Sequence, residues 1–149
     1  MHIRQATVDD IDDIQQLLLE LAEVLGKRSE IHGTREDLRR FGFGPQPRFE
    51  AMLAYDNEGV AVGLAVYFSE YSTWRGLPGV YVQDLYVKAD LQGAGLGRRL
   101  LRAVKEKAAS WGGRYLKLTV YGDNPQAIAF YQHLGFECRE DELPLVLRF

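Results

Sequence analysis

Residues 92 to 97 read Gln92-Gly93-Ala94-Gly95-Leu96-Gly97, with Arg98 and Arg99 directly after them. Three glycines at alternate positions let a backbone come close to an anion, because no Cβ stands in the way. A helical pattern starts at the same place, so its first N–H groups and the positive end of its dipole would point at that anion. Two phosphate loops with defined spacing do not fit. The ATP/GTP loop requires Gly-Lys and then Ser or Thr, but Gly97 is followed by Arg98. The dinucleotide fingerprint places its third glycine one position later, where Arg98 stands. Arg98 and Arg99 in a first helical turn oppose the dipole, a cost that a bound pyrophosphate would reverse. Charge is divided in the same sense: residues 88–117 carry eight basic and two acidic side chains, whereas residues 1–87 carry eight and 14. A basic block in a chain of net charge −3 suits a phosphorylated cofactor and argues against a nucleic-acid partner.

The loop needs elements to hold it. A chain of 149 residues, 46% hydrophobic and 26% charged, is expected to form one globular domain spanning residues 1–149. The longest uncharged run, residues 124–136, is too short and too polar to cross a bilayer, and the start of the chain does not read as a secretory leader. Cys138 is the single cysteine, which excludes an internal disulfide and a multi-cysteine zinc site and suits a reducing cytoplasm. Thr7 and Asp10 form a capping box, and Val8, Ile11, Ile14, Leu17, Leu18, Leu21 and Leu25 recur at helical spacing. A shorter helix is expected over 35–41. Strands are expected over 2–6, 49–55, 60–69, 79–87 and 116–121, with Asp56-Asn57-Glu58-Gly59 as a hairpin turn. Leu100, Leu101, Val104, Ala108 and Trp111 mark a second long helix. Pro125 opens another that Gly135 stops, and two terminal strands begin at Phe136 and Leu145. The sum is an α/β fold with a mixed central sheet of about seven strands and about four helices.

Gln92-Gly93-Ala94-Gly95-Leu96-Gly97, after the strand Asp84-Leu85-Tyr86-Val87, resembles the acetyl-CoA loop of the GNAT superfamily of N-acetyltransferases. Asn124-Pro125-Gln126-Ala127-Ile128-Ala129-Phe130-Tyr131-Gln132-His133-Leu134-Gly135-Phe136 resembles that family's second signature, Asn-x-x-Ala-x-x-x-Tyr-x-x-x-Gly-Phe. A finer resemblance is to the diamine acetyltransferase branch, through Glu20-Leu21-Ala22, Asp37-Leu38 with Gly42-Phe43-Gly44, and Tyr81-Val82-Gln83-Asp84-Leu85-Tyr86-Val87. This chain departs from the branch at three places. Gln83 stands where the branch has a Glu that deprotonates the amine, and Val24 and Leu25 replace a Tyr-Glu pair.

The resemblance implies transfer of the acetyl group of acetyl-CoA to a primary amine by direct attack in a ternary complex, with no metal. It implies that the backbone of Leu85, Tyr86 and Val87 and the loop Gln92, Gly93, Ala94, Gly95, Leu96, Gly97 and Arg98 hold the cofactor together with Asn124. Tyr131 matches the tyrosine that protonates or hydrogen-bonds the CoA sulfur. The base is left open: Gln83 cannot take a proton, Asp84 should face away from Gln83 unless a bulge turns it, and a water chain to Glu20 would also serve. Acceptor contacts are expected from Gln83, Asp84 and Glu20. With two carboxylates missing, a small amine is favoured over a polyamine. A homodimer is expected by analogy with the branch. A CoA-binding module without turnover and a protein N-acetyltransferase are the alternative readings.

Overall fold

The computed structural model describes residues 1–149. The chain divides into two compact units, Met1–Leu118 and Thr119–Phe149. In the first, strand β1 (His2–Gln5) leads into a single 3-10 turn (Val8–Asp10) and helix α1 (Ile11–Val24). The capping box is formed: the Thr7 hydroxyl and the Asp10 carboxylate each serve the other's end of the turn. Arg4 donates two hydrogen bonds to Asp10, at 2.8 and 2.9 Å, and the Tyr55 hydroxyl lies 3.0 Å from the same carboxylate. These contacts fasten the start of α1 to the sheet. Helix α2 (Arg35–Gly42) opens with a second box, Thr34 with Asp37.

Strands β2 (Glu50–Tyr55), β3 (Ala61–Ser72) and β4 (Leu77–Val87) follow as an antiparallel meander, then helix α3 (Leu96–Ser110) crosses to the short parallel strand β5 (Leu116–Leu118). The five strands lie in chain order across the sheet. Leu64 packs with Ile14 and Leu17 of α1, and its neighbour Gly63 points the other way, where a Cβ would stand 3.0 Å from Leu100 of α3. Alternation along β3 thus gives each helix its own face of the sheet. Val62, Ala65, Leu64 and Val66 are all buried, as a strand covered on both sides requires.

The second unit contains helix α4 (Pro125–His133). The Asn124 side chain caps it, accepting the Ala127 N–H at 3.2 Å, and Gly135 ends it at φ 98°. The expected seven-stranded sheet is corrected to five: the strand over 116–121 is cut to three residues and none forms after Phe136. Leu145, Val146 and Leu147 have the composition of a strand, but a strand exists only through a paired edge, and here Leu143, Leu145, Val146, Leu147 and Phe149 are exposed. Pro144 also removes a donor from that run.

Candidate active site

The decisive irregularity lies in the middle of β4. Val66 pairs with Asp84 while the next residue, Tyr67, pairs with Val82, so Gln83 is an extra residue on β4 with no partner on β3. This is a β-bulge, and it reverses the parity of the strand. Tyr81 stacks on Phe68 at 5.3 Å, so Val80 and Val82 point to the opposite face; beyond the bulge Asp84 and Tyr86 share the face of Val66 and Leu64. The sequence expectation set Asp84 against Gln83 because side chains alternate. The bulge cancels that objection: both line one cleft of about 310 Å³ together with Leu18, Leu38, Arg48, Phe49, Val66 and Phe68.

Within this largely apolar cleft Asp84 is the single carboxylate, and burial pushes its carboxyl up to about 6. A carboxylate in low dielectric binds its proton more tightly because the charged form has lost water. At pH 7 such a group is ionised in most molecules and basic enough to accept a proton. Glu20, the other expected acid, is engaged elsewhere. It lies 3.7 Å from the Lys88 ammonium and accepts from Gln16 at 3.2 Å and from the Tyr86 hydroxyl at 3.4 Å. Tyr86 in turn is raised by burial first and then by the Glu20 charge. Glu20 is therefore tied to the residue two places beyond Asp84 and does not line the cleft.

Beyond Val82 the other edge of β4 is not paired with β5, whose register ends at Leu118. Lys88 donates its N–H to the Val62 carbonyl at 3.0 Å, which places Lys88 and, by alternation, Tyr86 in the ladder with β3. The backbone groups of Leu85 and Val87 consequently point to the edge that β5 does not reach. The Val87 carbonyl is taken by the Gln92 side chain, which donates to it at 2.9 Å and braces the loop against the strand. Gly93 and Gly95 both lie in the left-handed region, at φ 87° and 80°. Gly95 is the N-cap of α3 and offers no side chain to the first-turn N–H groups of Leu96, Gly97 and Arg98, which an α-helix leaves without internal partners. Arg98 and Arg99 are exposed beside them. The geometry can receive an anion.

In the second unit Tyr131 lies on α4 with its ring edge-on to Phe130 and Phe136, at 5.1 and 5.4 Å. Burial raises its hydroxyl to about 12, so it holds its proton at neutral pH. Asn124, seven residues earlier, spends its side-chain oxygen on the α4 cap.

Residues 12–136 match the Acetyltransferase (GNAT) family. The chain belongs to that family. The thialysine N-epsilon-acetyltransferase of Mus musculus is 34% identical over 155 residues, covering 99% of this chain and 91% of that protein. The human spermidine/spermine N(1)-acetyltransferase-like protein 1 is 30% identical over 139 residues, 89% of this chain but 20% of that longer protein. An aminoglycoside acetyltransferase from an uncultured soil metagenomic sample shares the fold, with a TM-score of 0.82 at 18% identity, covering 99% of this chain and 95% of that one. The chain is thus an N-acetyltransferase of the GNAT family. What sequence reasoning about this acetyltransferase missed is the cleft wall: Leu18, Leu38, Arg48, Phe49 and Phe68 come from four separate segments. Only Phe43-Gly44-Pro45-Gln46-Pro47-Arg48-Phe49, with two prolines beside a charged residue and aromatics, carried a local signal of a shaped loop.

Proposed function

We propose that this acetyltransferase moves the acetyl group of acetyl-CoA to the primary amine of a small molecule, with Asp84 as the general base and both units acting as one catalytic domain. The observation that carries the reading is the bulge at Gln83, which turns a half-buried carboxylate of raised pKa into the cleft. An amine arrives as an ammonium ion and must lose a proton before it can attack. Asp84 accepts that proton; the neutral amine then forms the C–N bond as the thioester C–S bond breaks, and the second proton shed by the nitrogen makes good, through solvent, the one that Tyr131 gives to the thiolate. Leu85 and Val87 direct backbone groups to the strand edge, where an N–H can polarise the acetyl oxygen. Gln92, Gly93, Ala94, Gly95, Leu96, Gly97 and Arg98 supply backbone donors and positive charge for the pyrophosphate. Tyr131 keeps its proton until the sulfur leaves, then donates it to the thiolate. Asn124 orders the helix that carries Tyr131.

The acceptor class is that of side-chain amines of amino acids, the class to which the named substrate of the mouse relative belongs. Polyamines are disfavoured, because Gln83, Val24 and Leu25 provide no charge for a second ammonium. A homodimer is favoured by the exposed apolar run at Leu145, Val146, Leu147 and Phe149, which a second copy would cover. A reducing, cytoplasmic setting suits the single exposed thiol of Cys138. The test is steady-state turnover of acetyl-CoA with thialysine, L-lysine, spermidine and an aminoglycoside, on the wild type and on Tyr131→Phe. Amino-acid acetylation lowered about 10²-fold by the variant supports the reading. Absence of turnover with every amine would leave a binding module in its place.

A further inference from the structure

Arg48 lines the cleft with Asp84, and none of the acetyl-transfer steps uses it. Its backbone is held. Pro45 and Pro47 fix φ on the approach, a Cβ at Gly44 would strike the Arg40 carbonyl, and the Arg48 N–H donates to the Phe41 carbonyl at 2.6 Å. The ion pairs of the chain leave its guanidinium out, although acidic side chains outnumber basic ones over residues 1–87. It makes no ion pair with Asp84 either, and the Asp84 carboxyl is raised by burial. Arg48 precedes β2 and Asp84 sits on β4, so their backbones are set apart by β3, two strand spacings or about 10 Å. The cleft therefore combines a guanidinium and a carboxylate, carried by segments two strand spacings apart, with the apolar side chains of Leu18, Leu38, Phe49 and Phe68.

We propose that Arg48 is the specificity residue that grips the carboxylate of the acceptor, so that the amine presented to Asp84 is one several carbons away from it. This rests on the acetyltransferase reading of the Asp84 cleft. A guanidinium pairs with a carboxylate through two parallel N–H···O bonds, which fixes orientation as well as position. The methylenes of a lysine- or ornithine-like molecule lie along the apolar wall. An α-amine, one carbon from its carboxylate, is too short to bridge groups carried by backbones two strand spacings apart. A polyamine brings an ammonium against the guanidinium, a like-charge contact that selects against it. This repulsion is separate from the missing carboxylates at Gln83, Val24 and Leu25.

Two measurements test the assignment on the full chain: calorimetric binding and kcat/KM, each with L-lysine, L-ornithine and their decarboxylated counterparts cadaverine and putrescine. The wild type should prefer the amino acids by roughly ten- to a hundredfold, the range expected for one charged hydrogen-bonded pair. In Arg48→Gln that ratio should fall to within about threefold of unity, through KM more than kcat, and Arg48→Lys should restore part of it. The acetylated product of L-lysine should carry the acetyl group on the side-chain nitrogen. A preference in binding that Arg48→Gln leaves intact, or a wild type that does not distinguish lysine from cadaverine, overturns the assignment. If binding discriminates through Arg48 but no amine is acetylated, the catalytic reading fails and the carboxylate site stands.

Discussion

The two halves of β4 are built from one strand and serve opposite ends. From Leu77 to Val82 the strand pairs with β3 on one side and, over its last three residues, with β5 on the other; Val80 and Val82 are almost wholly buried, at 1% and 3% exposure. From Gln83 to Val87 it pairs with β3 only, and a bulge puts a carboxylate on a face that otherwise holds Leu64, Val66 and Tyr86. The first half satisfies its backbone and fills its neighbours' gaps, which is what stability asks of a central strand. The second half leaves an edge open and half-buries a charge, and both cost stability. The difference shows where this fold spends the stability that its ordinary half supplies.

Four substitutions, with one control, break or sharpen that contrast. Asp84→Asn should have the largest effect, lowering kcat/KM by about 10²-fold or more. In the wild type kcat/KM should rise as pH passes about 6, where Asp84 ionises, and the variant should lose that limb. Stability moves the other way. A folded-state pKa raised from 3.8 to about 6 means the folded protein holds this proton more tightly, so stability falls as pH climbs through that window. Asp84→Asn should therefore melt a few degrees higher than the wild type at pH 7, in differential scanning calorimetry. Val80→Ala tests the other half. It should lose about 1–3 kcal/mol in a urea titration, with kcat per folded molecule unchanged.

Gly95→Ala should weaken acetyl-CoA binding about tenfold by calorimetry, because a Cβ at a left-handed N-cap disturbs the anion-facing turn. Gly26→Ala is its control: Gly26 also sits at positive φ with open space around it, so both substitutions carry a backbone strain of about 1–2 kcal/mol. Equal loss of affinity in the two would return the loop to a structural turn. Gln83→Ala should be the mildest, changing kcat/KM less than about threefold, because the bulge is a backbone feature and the exposed amide takes no proton. A larger fall, measured at saturating acetyl-CoA, would give the Gln83 side chain a direct part in acceptor binding.

Much of this protein was legible without coordinates. The period of α1 and α3, the capping box at Thr7, the hairpin turn at Asp56 and the glycine loop are local, and local sequence settles them because each depends on residues a few positions apart. The loop and the Asn124 to Phe136 segment also identified the family, since their spacing encodes one turn and one capped helix. Composition misled at the C-terminus: Leu145 to Leu147 reads as a strand, but pairing is a property of two segments and no partner edge takes it up.

The site's chemistry was decided in three dimensions. Alternation counted along β4 set Asp84 against Gln83, and only the register with β3 revealed that one residue is left over, reversing every side chain beyond it. The same holds for the raised Asp84 carboxyl. Nothing beside Asp84 in the chain marks it as half-buried, because Leu18, Leu38, Phe49 and Phe68, which line the cleft with it, are supplied by α1, α2, the segment before β2 and β3. Sequence thus determined most of the elements and the glycine loop that opens α3, whereas desolvation and the pairing of distant strands determined which carboxyl faces the cleft and has its pKa raised, since both are set by neighbours in space and not in sequence.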